Sequence, residues 1–199
     1  VIRSYRPEDR AGVYDVCVRT AESGGDARGR YSSDDLMPDV FAGPYLELEP
    51  ELAFVVDDGR VVGYVLGTAD TARWATEHRA RWLPTVAARY PLVRPARTRE
   101  EQIIELLHHP ERMVRPELDG YPAHLHIDLL PSHQGRGLGR LLVRRFLAAL
   151  RDQGVPGVHL AVAPDNTRAL AFYRHLGLQG LPVADPGVVV LGAASDLDV

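Results

Sequence analysis

Residues 124–153 constrain the fold more than any other stretch of the chain. His124 to Leu130 reads as a β-strand, with Leu125, Ile127 and Leu129 facing one way and His124, His126 and Asp128 the other. Pro131 to Arg140 follows, with glycine at every second position from Gly135 to Gly139. Gly137 to Gln153 then reads as an amphipathic helix. Leu138, Leu141, Leu142, Phe146, Ala149 and Leu150 form its apolar stripe, and Gly154 ends it. Glycines let the backbone turn tightly and leave it uncovered. The free N–H groups and positive dipole end of the helix suit a diphosphate, and Arg136 and Arg140 can add charged contacts. Two commoner phosphate fingerprints are excluded. Arg140 stands where G-x-G-x-x-G needs its last glycine, and no Gly-Lys-Ser/Thr is present.

The rest of the chain supplies the partners of this unit. Val1 to Tyr5 reads as a short strand, and Pro7-Glu8-Asp9 opens a helix to about Ala21. Gly24 to Arg30 is loop, and Ser33 to Met37 is a short capped helix ended by Pro38. Leu52 to Val56 and Val61 to Leu66, separated by Asp57-Asp58-Gly59, form a hairpin. Thr71 to Tyr90 and Arg99 to His108 are helical, with loops at 91–97 and 110–122. Val158 to Val162 is a strand, Asn166 to Leu176 a helix stopped by Gly177, and Val188 to Leu191 a last buried strand. Strands alternating with helices predict an α/β fold whose central sheet is covered on both faces.

Size and charge set limits. The 199 residues suit one domain, 1–199, with room for a long insertion at 71–122. A net charge of -4 gives no electrostatic case for nucleic acid or an anionic membrane as partner. Cys17 is the only cysteine, so no internal disulfide forms, and its apolar surroundings predict a core residue rather than a nucleophile. No apolar run approaches the roughly 20 residues of a membrane helix. Val1-Ile2-Arg3 does not read as a signal peptide, so a cytoplasmic location is expected.

Gln134-Gly135-Arg136-Gly137-Leu138-Gly139 resembles the Q/R-x-x-G-x-G/A motif of the GCN5-related N-acetyltransferase (GNAT) superfamily. Asn166, Ala169, Phe172-Tyr173 and Leu176-Gly177 resemble its second motif, and the two together cover about the last third of the chain. The resemblance implies a GNAT fold: a central, mixed, twisted β-sheet with helices on both faces, here with a helical insertion before the central strand. A wider similarity links Asp35 to Asp39, Gly43-Pro44-Tyr45, Trp82-Leu83-Pro84 and His124 to Pro131 to the C-terminal acetyltransferase-like domain of animal O-GlcNAcases. That animal domain is regarded as having lost the cofactor loop. This chain keeps every glycine, and it is read as a stand-alone bacterial relative.

The resemblance implies acetyl-coenzyme A as co-substrate, held by Leu129, Leu130, Gln134, Gly135, Arg136, Gly137, Leu138, Gly139, Arg140, Asn166, Ala169, Phe172 and Tyr173. Tyr173 is the expected proton donor to the departing sulfur; the alternative is a tyrosine that packs on the pantetheine arm. Three ionisable groups on one face of a central strand are expensive unless that face is wet or paired. A substrate cleft explains them, with Asp128 or His126 taking the proton of the amine; a structural His/Asp network explains them equally. Metal binding is not expected, because His124 and His126, like His108-His109, lack an evident third ligand. The expected activity is acetyl transfer to a primary amine by direct attack in a ternary complex. The acceptor is a small-molecule amine, an aminosugar or a protein lysine. The alternative is a non-catalytic acetyl-coenzyme A-binding or interaction module. The insertion is expected to form a lid or wall over the acceptor site or to close the core, the Gly24–Asp35 loop is a second wall candidate, and oligomeric state is unreadable.

Overall fold

The chain, described by a computed structural model from Val1 to Val199, builds its sheet outward from a buried hairpin. β2 (Phe54–Asp57) and β3 (Val61–Thr68) pair antiparallel, and every residue of β3 is buried. Gly59 takes a φ of +76° between them, which an L side chain rarely adopts. β1 (Ile2–Ser4) extends the sheet beyond β2, and β4 (Ala123–Leu129) pairs antiparallel with β3 along its whole length. β5 (Gly157–Val162), β6 (Gln179–Gly180) and β7 (Val189–Ala194) complete the order β1-β2-β3-β4-β5-β7-β6. β4 and β5 are the one parallel pair, and they pair only at Ala123–Val158 and His124–His159.

Helices cover both faces. α1 (Arg10–Thr20) buries Val13, Val16 and Cys17 against β3 and β4. α7 (Leu138–Asp152) buries Leu142, Phe146 and Leu150 on the other face. There Gly67 admits the Phe146 ring, whose Cζ would lie 2.5 Å from a Cβ at that position. α8 (Thr167–His175) follows β5. No helix is long and apolar enough to cross a membrane.

The expected short helix differs in extent. α2 runs Leu36–Phe41 straight through Pro38, and α3 (Gly43–Leu48) follows it. Pro38 lies in the first turn, where its missing N–H would have no helical partner. Residues 71–90 also divide, into α4 (Thr71–Glu77), a π turn at His78–Trp82 and α5 (Leu83–Val86), which has Pro84 in its first turn. α6 (Arg99–His108) has the expected bounds and opens on a capping box of Thr98 and Glu101. The last strand extends to Ala194, and the two-residue β6 was not expected from the sequence.

The insertion packs its Trp74, Trp82, Val86, Tyr90, Ile103 and Leu107 into the same core as the sheet. Its two ends are tied together, with Thr71 N–H donating to Pro122 O at 2.8 Å. Asp39, 2 % exposed, anchors it to the body. The Asp39 carboxylate accepts from the hydroxyls of Tyr14 and Tyr90, each at 2.8 Å, and pairs with Arg89 at 3.0 Å; its carbonyl accepts from Trp82 Nε1 at 2.9 Å. Removing a buried acceptor strands its donors at about 1–3 kcal/mol each. Asp39→Ala is therefore expected to lower stability by about 3 kcal/mol. Urea unfolding checks this, and a loss below about 1 kcal/mol would show that the network holds nothing.

Candidate active site

The three glycines of the loop do different work. Gly135 and Gly137 have φ of +74° and +75°, and an added Cβ at either would meet nothing within 4 Å. Both leave backbone bare toward open space. Gly139 is buried, and an added Cβ there would lie 3.0 Å from Phe172 Cζ. Its missing side chain lets α8 approach α7. Inside the protein, the N–H groups of Gly135, Arg136, Gly137, Leu138, Gly139 and Arg140 have no acceptor, whereas those of His133 and Gln134 bond Leu130 and Pro131. Gln134 turns its side chain inward, Nε2 donating to Leu129 O at 2.7 Å, and so braces the loop on β4. Arg136 and Arg140 are exposed, and Leu138 is half-buried against the core. Six consecutive free amides, two uncovered glycines and two arginines fit a diphosphate.

Beside the loop the sheet opens. Past His124 and His159, β4 and β5 diverge. Leu130 N–H donates to Val62 O at 2.9 Å, so strand alternation turns the main-chain groups of Ile127 and Leu129 toward the gap. The expectation of two backbone ligands, Leu129 and Leu130, narrows here. Both main-chain groups of Leu130 are used internally, because its carbonyl accepts from His133 N–H at 2.8 Å. Leu129 O is taken by Gln134, which leaves the Leu129 N–H free.

On the α1 side of β4 lie His124, His126 and Asp128, a polar row under buried aromatic rings. Tyr64 OH donates to Asp128 Oδ2 at 2.7 Å. Tyr45 OH lies 2.8 Å from His124 Nε2 and 3.0 Å from His126 Nε2. His124 Nδ1 is 2.8 Å from Thr71 Oγ1. Trp74 stacks on Tyr45, ring centroids 4.8 Å apart, and Phe41 packs edge-on against His126. Burial pushes the Asp128 carboxyl up to about 6, against the Tyr64 hydrogen bond that pulls it down. Burial holds His126 down at about 4 and His124 well below the ordinary histidine value, the neighbouring imidazoles adding to the effect.

α8 brings the second motif to the same gap. Asn166 caps the helix, its Oδ1 accepting from Ala169 N–H at 3.1 Å, so only its amide nitrogen is free to reach outward. Phe172 is half-buried against Gly139. Tyr173 is 7 % exposed and its hydroxyl has no partner in the protein. Burial raises the Tyr173 phenol above its ordinary value, and the charge of Asp128 raises it further. The tyrosine and the carboxylate therefore sit in one field. Cys17 is buried and its thiol is held protonated, burial again being the main cause.

The structure thus places Leu129, Asp128 and His126 on the strand that leads toward the loop, and Tyr173 within the field of the Asp128 carboxylate. Sequence reasoning missed the groups that orient them. Tyr64 is the one aromatic hydroxyl within a buried, largely aliphatic strand, and that oddity was the available signal. Tyr45 and Thr71 carried no such mark, because their partners arrive from 79 and 53 residues away.

Comparison with known proteins agrees with this geometry. Residues 99–178 match the model of the acetyltransferase (GNAT) family, and the chain belongs to that family. Over 98 % of both chains it superposes on the crystal structure of SsHAT with a TM-score of 0.94 and 54 % identity. It is 30 % identical to protein O-GlcNAcase of Rattus norvegicus over 96 % of this chain and 22 % of that protein. The chain thus spans about a fifth of the length of that curated relative. A segment of 54 residues, 27 % of the chain and 18 % of the relative, is 52 % identical to mycothiol acetyltransferase of Beutenbergia cavernae.

The raised carboxyl of Asp128 has a cost with a definite sign. Between the unfolded value near 3.9 and the folded value of about 6, the native state binds more protons, so stability falls as pH rises through that window. Asp128→Asn keeps an acceptor for Tyr64 and removes the charge. It is expected to match the parent at pH 4 and to exceed it by about 2 kcal/mol at pH 8. Denaturant titrations at the two pH values check this, and equal stability at both would refute the raised carboxyl.

Proposed function

We propose that this chain is an acetyl-coenzyme A-dependent N-acetyltransferase that moves an acetyl group to a primary amine in a ternary complex. The observation that carries the reading is the run of six unpaired amides, Gly135 to Arg140, opening on a gap in the sheet flanked by Asp128 and Tyr173. Acetyl-coenzyme A supplies an acetyl group already activated as a thioester. The amides, with Arg136 and Arg140, hold its diphosphate; the Leu129 N–H and the Asn166 amide are the further donors, and Ala169 and Phe172 pack beside them.

Asp128 and His126 compete for the base, and magnitude decides between them. A base works best with a pKa near the working pH. Asp128, at about 6, is ionised at neutrality and still basic; His126, at about 4, is a poor proton acceptor. Asp128 takes a proton from the acceptor ammonium at the carboxylate oxygen that Tyr64 does not use. That proton removes the negative charge which disfavoured a Tyr173 phenolate, so loading the base readies the acid. The freed amine attacks the thioester carbon; as the C–S bond breaks, Tyr173 Oη gives its proton to the sulfur, and the phenolate takes the second proton of the new amide nitrogen. Buried, protonated Cys17 offers no covalent relay, which favours direct transfer. A small amine, an aminosugar and a protein lysine all carry the required group. The insertion, residues 71–122 of a single domain 1–199, serves as a fixed wall of the site, pinned through Asp39 and through Glu49, which accepts from Ala69 N–H at 3.0 Å and pairs with Arg73 at 2.9 Å.

Two variants separate the parts. Gly137→Asn tolerates the left-handed backbone but places a side chain over the amides. It is expected to weaken coenzyme binding at least about tenfold by calorimetry with little change in unfolding midpoint, and unchanged affinity would refute the loop assignment. Tyr173→Phe is expected to lower turnover about 100-fold across an amine panel while coenzyme affinity changes little. Full turnover in that variant would remove Tyr173 from the chemistry.

A further inference from the structure

The hydrogen bonds on the α1 side of β4 admit one arrangement of protons. Pro122 O can only accept, and Thr71 Oγ1 lies 2.8 Å from it, so the Thr71 proton goes there. Thr71 oxygen, 2.8 Å from His124 Nδ1, must then accept from that ring, which fixes a hydrogen on Nδ1. His124 is buried and neutral, so its Nε2 is bare and receives the Tyr45 hydroxyl at 2.8 Å. Tyr45 has given its only hydrogen, so its oxygen accepts from His126 Nε2 at 3.0 Å. His126 is neutral as well, which leaves its Nδ1 without a hydrogen. That nitrogen has no partner in the protein and, unlike the buried, unpartnered Trp74 Nε1 and His78 Nδ1, is not sealed from solvent.

We propose that Thr71, His124 and Tyr45 are positioning residues that lock His126 with a bare Nδ1, and that this nitrogen and Asp128 form a two-acceptor seat selecting a nucleophile with several N–H donors. A primary ammonium fills both acceptors. An alcohol or a thiol brings one hydrogen and leaves one acceptor unpaired. The chain of bonds starts at Thr71, at the base of the insertion, so that residue sets the chemistry of the seat from a distance. The nature of the nucleophile rests on the acetyl-transfer reading, but the tautomers do not.

Long-range 1H–15N correlation spectra of protein labelled at histidine nitrogens, without coenzyme, read the tautomers directly. Expected are a hydrogen on Nδ1 of His124 and on Nε2 of His126. The reverse at His126 overturns the lock and leaves the acetyl-transfer reading untouched. In Tyr45→Phe the His126 ring is expected to gain an Nδ1–H population while His124, still held by Thr71, keeps its own; an unmoved His126 shows that Tyr45 is only packing. Butylamine, 1-butanol and 1-butanethiol titrated into the labelled protein then probe the seat. The His126 Nδ1 signal is expected to respond to butylamine at about tenfold lower concentration than to the others, the value of one satisfied acceptor. That advantage is expected to narrow in Tyr45→Phe. A full advantage in that variant assigns the preference to Asp128 alone and overturns the seat, as does a flat response to butylamine.

Discussion

β4 and β5 hydrogen-bond for two residues and then part, and the candidate site exists because they do. A sheet normally pairs its interior backbone groups, since a buried unpaired N–H costs about 1–3 kcal/mol. Here the groups of Ile127 and the N–H of Leu129 face a gap, a few residues before six more unpaired amides in the following loop. The protein leaves unmet a row of donors that a ligand with a long polar spine can meet. The antiparallel ladder with β3 continues from His124 to Leu129, so the parting from β5 is not fraying at an edge.

The row His124, His126 and Asp128 would be costly in that place without partners. Tyr64, Tyr45 and Thr71 supply them, and each is itself buried. These hydroxyls do not neutralise the row. They leave one carboxylate oxygen of Asp128 and one imidazole nitrogen of His126 outside these bonds. The same burial that makes the histidines poor bases makes the carboxylate a better one, so a single environment separates two kinds of group by role.

Most of the architecture was legible in the sequence because it rests on local periodicity. The alternation in 124–130, the stripe of α7, the Asp58-Gly59 turn and the glycine loop each declare their element within a dozen residues. Pro38 misled, since a proline reads as a stop unless its place in the turn is known. The candidate site was legible in its glycines, Asp128 and Tyr173, which stand in marked patterns. It was not legible in Tyr45, Thr71 or the internal use of Leu130, because these depend on which distant segments meet. Nor does spacing reveal that Gly139 serves packing while Gly135 and Gly137 serve exposure; that distinction appears only once Phe172 is in place.

The close seating of the Phe172 ring on Gly139 has a metric consequence. A methyl group added at Gly139 would lie 3.0 Å from the ring, tighter than ordinary contact, so sliding α7 past α8 would press ring against backbone. The bare amides begin one of these helices, and the Tyr173 hydroxyl stands on the other, one residue beyond the ring. On the proposed reading, the interval between the anchoring end and the reacting end of a bound molecule would be gauged by this van der Waals contact. A carrier with a shorter or longer arm would present its business end at the wrong depth, however well its anionic head were held.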